Sequence, residues 1–198
     1  MRWDRLFDDL EGQLEQELGA EQVDLIAEEE RLRVGRLAFR DRLVAMSGSS
    51  SSRRELDLVL RDGTPVRIRV ASSGRDWIAG DLEGGRVRAS CIVPLDAIAA
   101  AAPAGDQLAA GLAVDPLGAP APGDLGARLG LALVLRDLCR RRAAVDLVCG
   151  WAVLHGTLDR VGRDHVDLAE HDPGVARREV AVRRIRLVPF AQLLSIRF

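Results

Sequence analysis

The chain has 198 residues and a mass of 21.5 kDa, enough for one medium domain or two small ones. Apolar residues make up 47% and aromatics only 4%, so a core must be filled by Leu, Val, Ile and Ala. A formal net charge of -2 excludes a general electrostatic pull toward nucleic acid, and because every cation is Arg, no single Arg stands out for not being Lys.

Residues 1–30 carry eleven acidic side chains against two Arg. Within them Trp3, Leu6, Phe7, Leu10, Leu14 and Leu18 recur at spacings of mostly three and four, which predicts an amphipathic helix with an acidic outer face. Gly19 ends or interrupts it, and Glu21–Met46 resumes the helical pattern through Val23, Ile26, Leu32, Leu37 and Phe39. The apolar stripe of Trp3, Leu6, Phe7, Leu10 and Leu14 needs a cover, either its own domain or a partner chain. Ser47–Ser52 reads as a linker.

Leu56–Leu60 and Val66–Val70 alternate as strands around Asp62-Gly63, a dipeptide that favours a tight hairpin turn. Trp77–Leu82 and Val87–Val93 follow as strands, and Pro94–Ile98 as a helical turn or a last strand. Residues 99–123 are rich in Ala, Gly and Pro and read as a linker, with support for a helical turn around 105–112. Asp124–Arg142 is helical by composition and closes on three Arg, which suit a helix C-terminus. A second strand-rich unit then covers Val145–Val161, Val166–Ala169 and Val180–Val188. Gly150, Gly156 and Gly162 fall where a curved sheet would turn or bend.

The halves echo each other. Gly74-Arg75-Asp76-Trp77 matches Gly162-Arg163-Asp164-His165, and Val93-Pro94-Leu95 matches Val188-Pro189-Phe190. Gly156-Thr157-Leu158 with Val161, Asp164, Val166 and Leu168 resembles the motif of the Sm-like small barrels and their SH3-like relatives. Val70, Asp76 and Ile78 are the matching positions of the first half. The resemblance implies an α+β, mainly β fold of tandem small β-barrels, each preceded by a helix. The resulting layout is an acidic N-terminal helix at 1–20, a helix and first barrel at 21–98, a linker at 99–123, and a helix and second barrel at 124–198. Members of that family form rings by strand pairing and bind single-stranded RNA at their loops. The Asn that commonly follows the motif's Asp has no counterpart in this chain, which contains no Asn.

Chemistry-bearing residues are sparse. Cys91, Cys139 and Cys149 are odd in number and lack a CxxC spacing, which predicts reduced core thiols in a cytoplasmic protein. His155, His165 and His171 lie near acids without metal-ligand spacing, and Cys149 is too far from His155 along a strand to form a dyad. No glycine pattern of a dinucleotide or phosphate loop is present. Trp77 and Trp151 read as core. Arg177, Arg178, Arg183, Arg184 and Arg186 form the best basic surface, either solvated, paired with the acidic helix, or set against phosphates. No enzymatic activity, cofactor, metal, small-molecule substrate, signal peptide or membrane span is expected. The expected function is an intracellular interaction or regulatory module that binds a protein partner or itself. Nucleic-acid regulation through the Arg-rich surface is the alternative.

Overall fold

The computed structural model describes residues 22–48, 55–84, 89–115, 126–174, 178 and 182–198. A helix at 22–35 (α1) leads to α2, Phe39–Gly48, and then to a run of strands, β1 Glu55–Leu60, β2 Pro65–Ser73, β3 Trp77–Leu82, β4 Ser90–Pro94 and β5 Ile98–Ala101. Helices α3, Gly105–Leu112, and α4, Leu131–Arg140, come next. The second run is β6 Ala144–Cys149, β7 Ala152–Val161, β8 His165–Glu170, β9 Arg184–Pro189 and β10 Leu193–Arg197. Part of the stretch expected to be a linker therefore holds β5 and α3.

Local chemistry accounts for several of these elements. Alternation puts Leu56, Leu58 and Leu60 of β1 and Ile68 and Val70 of β2 on the buried face. Gly63, at a φ of 84°, makes the expected turn between them. The Asp62 carboxylate braces that turn by accepting the Thr64 N–H at 3.0 Å and its hydroxyl at 2.8 Å. In β7, a Cβ on Gly156 would stand 2.3 Å from the Ala169 carbonyl oxygen, so β8 can approach only glycine there. Leu131, Leu135 and Leu138 follow helical spacing and form the buried stripe of α4.

The strands form one antiparallel sheet in the order β5-β1-β2-β3-β4-β10-β6-β7-β8-β9. The expectation of tandem closed barrels is corrected by this order. Neither half closes on itself; β4 pairs with β10 instead, Ile92 opposite Ile196 and Cys91 opposite Arg197. The result is a single open, mainly β sheet with helices, and β5 and β9 are its edges. The Sm-like and SH3-like resemblance, and the duplicated barrels it implied, fall with that correction: the motif residues occupy strands of a sheet that runs on without closure.

Two cores flank the β4–β10 seam, and each borrows across it. Trp77 and Ile92 pack with Leu135, Leu147, Leu158 and Leu168 of the second run. Leu194 packs with Leu43, Leu58 and Ile68 of the first, with Val148 against it. Polar contacts cross as well. Asp76 accepts the Leu131 N–H at the start of α4 (2.7 Å), and the Trp77 indole N–H donates to the Leu129 carbonyl (3.0 Å). No described helix is long and apolar enough to cross a membrane.

Candidate functional site

Edge strand β9 places Arg184 and Arg186 on one face and Ile185 and Leu187 on the other. Glu170, at the end of β8, lies directly opposite Arg184 in the ladder. Its carboxylate accepts from Arg184 Nε at 2.6 Å and from Arg186 Nε, with only 12% of its side chain exposed. The Arg186 bond holds the Glu170 carboxyl below the usual carboxylate range; burial opposes the shift and Arg184 adds to it. The same bond raises Arg186, whose guanidinium sits 5.4 Å above the Trp151 ring.

Of the predicted basic cluster, Arg183 pairs with Asp172 at 2.7 Å, Arg178 is exposed, and Arg177 lies outside the described residues. The carboxylates that meet Arg183, Arg184 and Arg186 come from the end of β8 and the residues just after it. Paired cations on an edge strand also discourage stray strand addition, an ordinary structural use for them. Trp3, Leu6, Phe7, Leu10 and Leu14 lie outside the described residues. Trp77 is buried as expected, whereas Trp151 is 56% exposed, because it occupies the β6–β7 turn and not a strand.

The histidines are organised by a register that the sequence reading lacked. The two-residue turn Gly150-Trp151 pairs Asp146 with His155, and their side chains meet at 2.6 Å. His155 Nε2 is buried without a hydrogen-bond partner among the described residues, and the ring meets His171 edge to face, 5.4 Å between centroids. His171 Nδ1 lies 3.1 Å from the Asp172 carbonyl, so in the neutral ring Nδ1 carries the proton and Nε2 accepts from the Thr157 hydroxyl at 2.9 Å. That hydroxyl–imidazole pair has the geometry of a nucleophile and its base. Thr157 and His171 are both buried, and the pair satisfies two interior polar groups. Cys149 plays no part in it. Among the described residues no three His, Cys, Asp or Glu side chains converge to hold a metal. Cys91 is fully buried, and loss of water pushes its thiol up to about 12.

Among the described α-helices, α1 alone has no buried residue. Val23, Ile26 and Val34 project toward one side of it and Leu25 and Leu32 toward the other, and all five are exposed. Its tether is Arg33, which donates to the Leu112 and Val114 carbonyls at the end of α3, at 2.7 and 2.9 Å. Set beside known proteins, the chain matches no family model, no curated protein and no solved structure.

Proposed function

We propose that the protein is a non-enzymatic interaction module that associates with a second copy of itself through α1. The observation that carries this reading is a helix with no buried residue among those described, tied to the end of α3 through Arg33, with Val23, Leu25 and Ile26 each about two-thirds exposed. Burying one such side chain is worth about 1.5–3 kcal/mol. Val23, Ile26 and Val34 share one side of the helix, and three such side chains from each copy give a two-fold interface enough gain to exceed the lower part of the association cost, about 4–15 kcal/mol. The acids beside them, Glu28, Glu29 and Glu30, form a polar rim, and two of these already pair with Arg31 and Arg33 on the same helix. The alternative of nucleic-acid binding through the Arg-rich segment loses support because Glu170 and Asp172 already engage Arg183, Arg184 and Arg186.

Sedimentation velocity across a hundredfold concentration range tests the proposal. The native chain is expected to run as a dimer, and a Val23→Glu/Ile26→Glu variant as a monomer with unchanged far-UV circular dichroism. A native chain that stays monomeric, or a variant that still dimerises, would overturn it.

A further inference from the structure

We propose that a cleft between the end of α4 and strand β7 binds a compact phosphate-bearing anion. The cleft has a volume of about 420 Å³, and Arg140, Arg142 and Arg160 line it with Thr157 and Asp159. Three guanidiniums against one carboxylate leave the lining strongly positive, and no aromatic side chain is present to stack a base or ring. A small ligand that is mostly charged oxygen fits that chemistry, and the planar fork of each Arg matches a pair of phosphate oxygens.

Two features of the backbone aim these side chains. Helix α4 ends with Arg142 N–H bonded to the Cys139 carbonyl (3.0 Å) and Ala143 N–H to the Leu138 carbonyl (3.1 Å). The residue at that corner must take a left-handed conformation, and glycine is the usual choice. Here it is Arg142, at a φ of 51°, the only non-glycine residue with positive φ among those described. A strained position that keeps a long cation is an outlier that points to function. The second feature is the register shift between Leu158 and Arg160, a break in the β7–β8 ladder of the kind that redirects a side chain.

Ion pairing leaves Arg142 and Arg160 available. Arg142 has no ion pair or side-chain hydrogen bond with the described residues, and Arg160 stands 3.9 Å from Asp167 with 85% of its side chain exposed. Arg140 pairs with Asp137 on the helix surface, as does Arg141, which does not line the cleft. A helix C-terminus repels anions. The two capping hydrogen bonds occupy the Leu138 and Cys139 carbonyls, and the Arg142 and Arg160 guanidiniums oppose what remains of the dipole.

The test is calorimetric titration of the full chain with pyrophosphate, beside a twelve-residue oligothymidylate lacking terminal phosphates. Pyrophosphate is expected to bind one to one, at least tenfold more weakly in both Arg142→Gly and Arg160→Gln, and within twofold of native in Arg141→Gln. Arg142→Gly removes the cation and relaxes the backbone, so its melting temperature is expected to equal or exceed the native one. That separates loss of the site from loss of the fold. Absence of saturable pyrophosphate binding, or an equal loss in Arg141→Gln, would overturn the proposal. So would an oligonucleotide that binds more tightly than pyrophosphate through the same arginines, since it would assign the cleft to a phosphodiester chain.

Discussion

Glu170 shows how a single side chain decides the meaning of its neighbours. Without it, Arg184 and Arg186 would be free cations on an edge strand; with it, they are two arms of one clamp around a buried carboxylate. Its carboxyl titrates below the ordinary value of about 4.3, so the clamp contributes stability that is fully present above that value. The contribution is lost as pH falls through the lowered folded-state value. Glu170→Gln is therefore expected to be less stable than the native chain at pH 7, with the gap narrowing as pH falls below about 4.3. Urea midpoints at pH 7, 5 and 3 would show it. A gap that stays constant with pH would mean the clamp is structural packing without a charge component. The residue pattern of β9 was legible, because Arg184 and Arg186 share parity. Their partner was not, because nothing local marks Glu170 as the acid that lies opposite.

At the level of elements, alternation and turn chemistry reveal faces and hairpins but not which strand lies beside which. The Asp62-Gly63 turn fixes the β1–β2 pair from sequence alone, because both partners and the turn lie within a few residues. The Gly150-Trp151 turn carries equal information and would have placed Asp146 opposite His155 had it been read as a hairpin instead of a bend. Helix α3 was legible as a helical turn at 105–112, but its anchor was not: a buried Gln107 donates to the Glu55 carbonyl at 2.8 Å, far away in sequence. The β4–β10 joint has no local signature at all. Its strands are short, and Ile92 and Ile196 are both buried, each in its own run's apolar pattern. Ile196→Ala, which opens a cavity beside Ile92, is expected to cost about 2–5 kcal/mol in equilibrium unfolding. A loss under about 1 kcal/mol would show that the joint carries little of the fold's stability.

For the whole molecule, the consequence of that joint is cooperativity. A chain whose halves each closed on themselves would own two private cores and could lose one while keeping the other. Here the second core contains Trp77 and Ile92 from the first run, and the first contains Leu194 from the last strand. The Leu131 N–H at the start of α4 donates to Asp76, on the turn between β2 and β3. Opening either run therefore exposes apolar surface in both cores and uncaps α4. Native-state hydrogen exchange is expected to give the β1 and β2 amides the same opening free energy as those of β6 and β8, within about 1 kcal/mol. Their values should fall together on adding denaturant and in Ile196→Ala. If β6–β8 amides stayed protected while those of β1–β3 exchanged freely, the seam would be a contact between independent units. Equal values would instead mean that any ligand in the α4 cleft or any partner on α1 stabilises the entire sheet by the full linkage term, not merely the half it touches.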